Sequence, residues 1–390
     1  MSDQVRSQYE AFPYPERDPA DEAKRLVTGS PSDPLEIDHY LFGGRRDWSR
    51  PFHALVAGGG TGDGLIQLAQ KLAWAGVEAE ITYIDLSEAS RRVAEARAEA
   101  RQLSGIRFLS GSLLDAATLG AFDYIDCCGV LHHLPDPAAG FAALRAALAP
   151  GGGIGFMVYA PLGRSGVYPL QAAFNRLFGH LSETERLSEA KALLARLPAG
   201  HPFLRNPNLG DHRRGDAGFY DLLLHGQDRA FRVMELSETL TAAGLALASF
   251  IPARLYDPGR FGVGAGLSPW EAMATAEQLD GTIKVHIGYA VPEAEARALP
   301  VPEDDLVPHL AGPAARIARE IATKGRLSFR SAGHPAEIEL ASETARLIEK
   351  IDGRSTVGHI AGAGSEGWRQ VHDAFTGWNL LRYSSLPPRG

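Results

Sequence analysis

The sequence LVAGGGTG occupies residues 55–62, and a short apolar run that begins at His53 leads into it. Glycines in such a loop allow a tight turn from a strand into a helix and let a ligand approach the backbone closely. The helix predicted to follow, from Asp63 to Trp74, directs free N–H groups and a positive dipole end toward the loop. The pattern therefore predicts a strand–loop–helix unit suited to a carboxylate or a phosphate.

The loop differs from the GxGxxG fingerprint of dinucleotide-binding proteins, because the sixth position counted from Gly58 is Asp63. It contains GxGxG instead, formed by Gly58, Gly60 and Gly62. The next predicted strand ends at Asp85, whose carboxylate can accept hydrogen bonds from both hydroxyls of a ribose. Each feature alone is common in α/β proteins, but the two on successive strands favour a nucleoside ligand. The missing glycine disfavours an NAD-dependent oxidoreductase.

Strands and helices alternate regularly from His53 to about Tyr159. This alternation predicts the α/β class, with a Rossmann-like parallel sheet closed by an antiparallel last strand. The rhythm stops in an irregular insertion at a place where such domains often carry a substrate cover. The predicted divisions are an N-terminal lid (1–50), the α/β domain (51–292, with the cover at 160–232), a linker (293–312) and a small α+β, winged-helix-like domain (313–390).

Five sequence blocks, in their order and spacing, resemble the core of class I S-adenosylmethionine (SAM)-dependent methyltransferases. They are LVAGGGTG (55–62), YIDLS (83–87), GSLLD (111–115), FDYIDCCGVLHHL (122–134) and LAPGG (148–152). The blocks are also similar to bacterial methyltransferase cores that occur fused to tetratricopeptide repeats. The resemblance implies an enzyme with SAM as cofactor, which transfers the methyl group by in-line displacement to an oxygen or nitrogen nucleophile of a small molecule or a protein side chain.

The resemblance also implies cofactor contacts at matching positions. They are Gly58, Gly60 and Gly62 around the methionine moiety, Asp85 at the ribose, Leu86 beside the adenine, Ser112 and Leu113 along the adenine edge, and Cys128 and Gly129 at the methionyl amino end. Tyr14, from the N-terminal segment, is expected to close over the cavity. Two positions depart from the family pattern: Val56 stands where an acid is often found, and Ser112 where an aspartate commonly faces the adenine amine.

Methyl transfer from a sulfonium depends mainly on alignment, and it needs a base only when the acceptor is protonated. The candidate catalytic residues are His133 after the fourth strand, Tyr168 in the cover, and His225 and Arg229 before the domain closes. Two alternatives stay open for them. His133 is either a base or a structural part of its turn, and the charged cluster around His225 belongs either to the site or to a solvated surface. No metal-ligand spacing is found, so no metal is expected.

The net charge and the cysteines of the sequence indicate which binding partners and which compartment to expect. A net charge of −8 gives no electrostatic reason to expect nucleic acid or an anionic membrane. The adjacent Cys127 and Cys128 are interpreted as buried thiols of a reducing compartment, and together with a polar N-terminus they predict a cytoplasmic protein. The C-terminal domain is expected to serve docking, dimerisation or closure, which allows a homodimer. Two alternatives are a SAM-binding regulatory protein that contacts nucleic acid through this domain and an aminopropyl transferase.

Overall fold

The computed structural model describes residues 3–331 and 333–388, and a seven-stranded sheet lies at its centre. The strands of this sheet are β1 (Phe52–Ala57), β2 (Ala79–Asp85), β3 (Ile106–Ser110), β4 (Phe122–Cys128), β5 (Leu148–Tyr159), β6 (Leu245–Phe250) and β7 (Val285–Pro292). Four further strands lie in the C-terminal part: β8 (Pro308–Leu310), β9 (Arg326–Ser331), β10 (His334–Glu339) and β11 (Leu381–Tyr383).

The strand order is β3-β2-β1-β4-β5-β7-β6. The first five strands are parallel, whereas β7 is antiparallel to both β5 and β6. The predicted Rossmann-like sheet with an antiparallel closing strand is therefore confirmed. In the register of the sheet, Val56 on β1 lies between Tyr83 on β2 and Asp126 on β4. The carboxyl ends of β1, β2 and β4 meet at one edge, where open α/β sheets bind their ligands.

Helices cover both faces of the sheet, and further helices build the cover insertion and the C-terminal part. In chain order they are α1 (Asp3–Ala11), α2 (Pro34–Phe42), α3 (Asp63–Trp74), α4 (Glu88–Ala100), α5 (Pro137–Ala146), α6 (Val167–Phe178), α7 (Glu183–Leu194), α8 (Pro202–Arg205), α9 (Asp216–Leu223), α10 (Val233–Ala242), α11 (Pro269–Asp280), α12 (Ala314–Lys324), α13 (Ala345–Glu349), α14 (Val357–Ile360) and α15 (Glu366–Thr376). One apolar core joins α2, α3 and α4 to the sheet, and a second joins α5, α10 and α11 to its other face. None of the helices in the described ranges is long and apolar enough to cross a bilayer.

The segment 1–50 was predicted as a single lid, but its described part, residues 3–50, has two separate roles. Helix α2 packs on the sheet, and its Ile37 and Leu41 are fully buried. Asp33 caps its first turn by accepting from the Leu35 N–H, and Gly43 ends it in the left-handed conformation (φ 67°). Only the part before residue 33 reaches the ligand-binding edge. The lid prediction is thus wrong for α2, which belongs to the core because its apolar face is buried against the strands.

The cover insertion contains more helix than its sequence pattern predicted. Besides α7, which matches the expected helical piece, it holds α6, α8 and α9. Pro169 lies in the first turn of α6, where a missing N–H costs nothing, so the proline does not prevent the helix. Val167, Leu170 and Phe174 of α6 are buried against α9. The insertion is a small helical layer with its own apolar core.

The C-terminal module begins earlier than predicted, because β8 lies inside the expected linker 293–312 and pairs with β11. Strands β9 and β10 form an antiparallel hairpin, and helices α12 to α15 complete the module. Trp368, Phe375 and Leu381 are fully buried in its core. The module is therefore an α+β unit that folds around its own apolar cluster.

This module is fixed to α2 by buried polar contacts. Arg382 Nη2 donates to Glu36 at 2.8 Å, and Arg382 Nη1 lies 3.8 Å from Asp33. Ser384 Oγ donates to Asp38 at 2.7 Å, and the Tyr383 N–H donates to His39 Nδ1 at 3.0 Å. The two parts share an interface that depends on charge pairing.

Replacing Arg382 with methionine is expected to destabilise the whole chain. The variant would leave Glu36 buried without its cation, which typically costs about 3–5 kcal/mol, whereas Asp33 would keep its closer partner Lys71 at 2.7 Å. Urea unfolding monitored by circular dichroism measures the change. The matched control is Arg369→Met, because Arg369 is exposed and lies 3.9 Å from Glu366; removing such a pair costs at most about 1 kcal/mol. Equal stabilities of the two variants would contradict this account of the interface.

Candidate active site

A cavity of about 470 Å³ opens at the carboxyl ends of β1, β2 and β4. Its floor is the glycine loop after β1. The segments after β2 and β4 form two walls, and the N-terminal segment forms the roof together with α9 of the cover. The cavity therefore lies where the sequence predicted a nucleoside site, and it extends beyond that site toward the cover.

Two glycines of the loop have a backbone conformation and a close packing that other residues would not tolerate. Gly58 and Gly60 have φ values of 71° and 52°, in the left-handed region that favours glycine. A Cβ on Gly58 would lie 2.5 Å from Val130, and one on Gly60 would lie 2.8 Å from the carbonyl oxygen of Tyr14. The loop thus fits closely against the segment after β4 and under the N-terminal segment.

Asp85 holds this loop in place. One carboxylate oxygen accepts from the Gly60 N–H at 2.8 Å, and the other accepts from the Ser87 N–H at 2.8 Å. Burial raises the pKa of Asp85, and these backbone hydrogen bonds oppose that rise. Each carboxylate oxygen has a second lone pair, so both can still accept a ribose hydroxyl. The structure thus gives Asp85 a second role, as the clamp of the glycine loop.

Most of the positions expected to contact a cofactor lie on the cavity wall. They are Gly58, Gly60, Asp85, Leu86, Ser112, Leu113, Cys128, Gly129 and Tyr14. The exception is Gly62, which is absent from the wall. Gly62 begins α3 with φ 98°, and a Cβ there would lie 3.0 Å from Ala94 of α4. This glycine is therefore needed for packing of α3 against α4 and not for ligand contact.

The N-terminal segment is tied down over the loop by three anchors. Arg17 pairs with Asp63 through two hydrogen bonds of 2.8 and 2.5 Å. Thr61 Oγ1 donates to the carbonyl of Pro15 at 2.6 Å. The Ser87 hydroxyl donates to the carbonyl of Tyr9 at 3.1 Å. These contacts place the rings of Tyr9 and Tyr14 inside the cavity.

The far end of the cavity is built around Asp221 on α9, which sequence reasoning missed. Its side chain is buried, with Tyr9 Oη donating to one oxygen at 3.0 Å and Tyr159 Oη to the other at 3.0 Å. No Lys, Arg or His nitrogen of the described residues lies within 4.0 Å of this carboxylate. Burial raises the pKa of Asp221, and His133 and the tyrosine hydroxyls oppose the rise. Asp221 lies in the insertion whose sequence has no regular period, so no pattern marked this acid as part of a site.

His133 and His225, both candidates from the sequence, stack with ring centroids 3.7 Å apart. The backbone of Gln227 contacts both rings. Its carbonyl lies 2.8 Å from His133 Nδ1, and its N–H donates to His225 Nδ1 at 3.1 Å. A carbonyl only accepts and an N–H only donates. His133 therefore carries its proton on Nδ1, whereas His225 carries its proton on Nε2.

Because their tautomers differ, the two rings have different hydrogen-bonding roles. The Nε2 proton of His225 donates to Tyr9 Oη at 3.3 Å, so His225 orients the tyrosine that donates to Asp221. His133 lies on the cavity wall, and its Nε2 is buried without a hydrogen-bond partner among the described residues. Its lone pair is therefore not used by any of the described residues. Of the two histidines, only His133 can accept a proton directly.

Tyr168 and Arg229, the other two candidates, lie away from the cavity. Tyr168 Oη accepts from Arg164 Nε at 3.1 Å, and the Arg164 guanidinium covers the ring of Tyr159 at 3.6 Å. Tyr168 thus acts on the site through Arg164. The Arg229 side chain is more than half exposed and lies 4.0 Å from Glu235. Since Arg229 is not on the cavity wall, the geometry gives it no contact with a bound molecule.

A second acid missed from the sequence, Asp126, lies on the cavity wall beside the glycine loop. It is almost fully buried and accepts from the hydroxyls of Ser32 and Tyr124. A signal was present, because Asp126 interrupts the apolar run of a central strand.

Among the described residues, neither cysteine forms a disulfide.

Comparisons with known proteins agree with this geometry. Residues 55–154 match the family described as a methyltransferase domain. An uncharacterised protein of Synechococcus sp. is 34% identical over 245 residues, which are 59% of this chain and 57% of that protein. A ubiquinone biosynthesis O-methyltransferase of Albidiferax ferrireducens is 35% identical over 99 residues, 25% of this chain and 38% of that enzyme. The chain therefore spans between about a third and just over half of these relatives.

Among solved structures, PKMT2 from Rickettsia typhi superimposes with a TM-score of 0.61 at 14% identity, over 93% of this chain and 77% of that one. Its complex with AdoHcy gives 0.57 at 12% identity over the same shares. At this identity the likeness concerns the fold, and it extends across most of the chain. With the family match at residues 55–154, it confirms the resemblance found in the sequence: the chain contains a class I SAM-dependent methyltransferase domain.

Proposed function

We propose that this chain transfers the methyl group of SAM to the nitrogen of an amine. The observation that carries the proposal is Asp221, a buried carboxylate on the cavity wall with no basic nitrogen of the described residues within 4.0 Å. A buried charge is costly unless it is paired, so the site favours a ligand that brings a positive charge. Tyr9 and Tyr14 line the same region, and tyrosine rings attract cations.

Arg164, whose charge opposes the rise in the pKa of Asp221, is already engaged by another carboxylate. Arg164 lies on the cavity wall, and its Nη2 is 3.3 Å from Asp228 Oδ2. Its guanidinium also stacks on Tyr159. An alcohol or phenol acceptor would leave Asp221 without a counter-charge, whereas a protonated amine would supply one. This difference favours nitrogen over oxygen as the methyl acceptor.

The residues at the other end fit the cofactor. Asp85 would accept the ribose hydroxyls, and Leu86 and Leu113 would pack on the adenine. Gly58 and Gly60 line the cavity with backbone atoms, in a loop packed too closely for a side chain. Bound SAM supplies a sulfonium methyl group, which a nitrogen lone pair can displace while the electrons of the carbon–sulfur bond remain on sulfur.

His133 would prepare the acceptor for this displacement. A protonated amine has no lone pair, so it must lose a proton before it can attack. His133 lines the cavity and its Nε2 has no hydrogen-bond partner among the described residues, and one of its ring nitrogens lies within 4.8 Å of the Asp221 carboxylate. It would take one proton from the ammonium group, and the charge of the resulting imidazolium would be stabilised by Asp221. The methylated product leaves as a secondary ammonium ion.

Replacing Asp85 with alanine is expected to weaken cofactor binding about 10- to 100-fold. The change removes charge-assisted hydrogen bonds worth roughly 1.5–3 kcal/mol and loosens the glycine loop. Calorimetric titration with S-adenosylhomocysteine (SAH), the demethylated product, measures the affinity. The control Asp115→Ala removes an exposed acid after β3 and should bind normally. Unchanged affinity of the Asp85 variant would refute its assignment.

Replacing Asp221 with asparagine is expected to lower kcat/KM for amines about 100-fold or more, while the Kd for SAH stays within a few-fold. The amide keeps the shape of the side chain but lacks the charge that holds an ammonium group. Radiolabelled SAM and a series of n-alkylamines, with the matched n-alcohols and phenols, provide the assay. Asp211→Asn is the control, since Asp211 also lines the cavity but is paired with Arg214 at 3.6 Å. A wild-type preference for alcohols or phenols would rule out the amine proposal.

Replacing His133 with asparagine is expected to lower kcat about 10²- to 10⁴-fold at pH 7. The asparagine amide can still donate to the Gln227 carbonyl, but it has no basic nitrogen. The deficit should shrink as the pH rises toward about 10, because alkylamines then lose their proton to solvent. Rates measured from pH 6 to 10 with n-butylamine test this, and a deficit independent of pH would exclude His133 as the base.

A further inference from the structure

Asp126 and Val56 are partners in the parallel register of β4 and β1. Val56 occupies the position where related methyltransferases often have an acid, two residues before the first glycine of the loop. Register partners on neighbouring parallel strands present their side chains to the same face of the sheet. Asp126 therefore places a carboxylate on the same face of the sheet as Val56 and level with it, where β1 has no acid.

The surroundings of Asp126 leave its charge without a counter-ion. The residue is 2% exposed, and no basic nitrogen of the described residues lies within 4.0 Å of its carboxylate. Ser32 and Tyr124 both donate to the same oxygen, Oδ2. Burial raises the pKa of Asp126 to about 6. The other oxygen, Oδ1, accepts no hydrogen bond from the described residues, and it belongs to a side chain that lines the cavity.

The first turn of α3 leaves room in front of this carboxylate. Gly64 occupies the nearest position, and a Cβ there would lie 3.4 Å from both carboxylate oxygens and 2.7 Å from Ser32 Oγ. Any larger residue at position 64 would press on the Ser32–Asp126 pair. The cavity also reaches Gly29, Ser30 and Gln67 beside it. The result is a polar recess next to the glycine loop, with one unpaired negative charge.

We propose that Asp126, oriented by Ser32 and Tyr124, binds the α-ammonium group of the cofactor in place of an acid on β1. An ammonium group has three N–H donors and a full positive charge. It would supply both the hydrogen bond and the counter-ion that the free oxygen of Asp126 lacks. This inference rests on the proposed function, since it requires SAM to occupy the cavity. It adds a side-chain carboxylate to the backbone of Cys128 and Gly129, which the resemblance placed at the methionyl amino end.

The test compares two ligands that differ in the amino-acid moiety. SAH carries the α-ammonium group, whereas 5′-methylthioadenosine lacks it and shares the nucleoside. For Asp126→Asn, the Kd for SAH is expected to rise about 10- to 100-fold, and the Kd for 5′-methylthioadenosine to stay within about twofold. Ser32→Ala should show the same selectivity with a smaller loss. The control Asp123→Asn alters an acid of the same strand that contacts Arg46 outside the cavity and should leave both affinities unchanged.

The outcomes separate this inference from the proposed function. Unaltered SAH binding by Asp126→Asn would overturn the inference alone, and so would an equal loss for both ligands, which indicates general distortion of the cavity. Failure of the wild-type chain to bind either ligand would overturn both proposals. Thermal unfolding without ligand provides the folding check. The variant removes an unpaired buried charge, so its midpoint is expected to be no lower than that of the wild type.

Discussion

The buried guanidinium of Arg97 is the contact on which the shape of the cavity depends. It donates to Glu22 at 2.6 Å and to the Thr61 carbonyl and Asp63 at 2.8 Å each. Glu22 belongs to the N-terminal segment, whereas Thr61 and Asp63 belong to the glycine loop and the start of α3. A buried charge tolerates little displacement of its partners. One side chain of α4 therefore sets the position of the roof relative to the floor.

The cavity lies between two buried carboxylates, Asp126 and Asp221, whose surroundings are similar. Each is surrounded by hydroxyl donors instead of cations; the donors are Ser32 and Tyr124 at one end and Tyr9 and Tyr159 at the other. Hydroxyl groups make a buried carboxylate tolerable without cancelling its charge. Both ends thus retain an attraction for cations, which is consistent with a cofactor and an acceptor that each carry a protonated amine.

The sequence was sufficient for the features that depend on local pattern. Alternating strands and helices predicted the sheet, and the loop glycines and Asp85 predicted one end of the cavity, because chain order alone brings these elements together. It was not sufficient for Asp126, whose meaning depends on its register with Val56, or for Asp221, which reaches the cavity from a distant insertion. The apolar face of α2 does not by itself indicate that it packs on the sheet, so the position of α2 in the core could not be predicted.

The peptide group of Gln227 fixes the protonation of His133 and His225 through its own carbonyl and N–H. Neither contact involves the side chain, so every residue except proline, which has no N–H, could make both. These two contacts therefore do not depend on which amino acid stands at position 227. A comparison of related sequences would overlook this position, although the assignment of base and positioning residue depends on it.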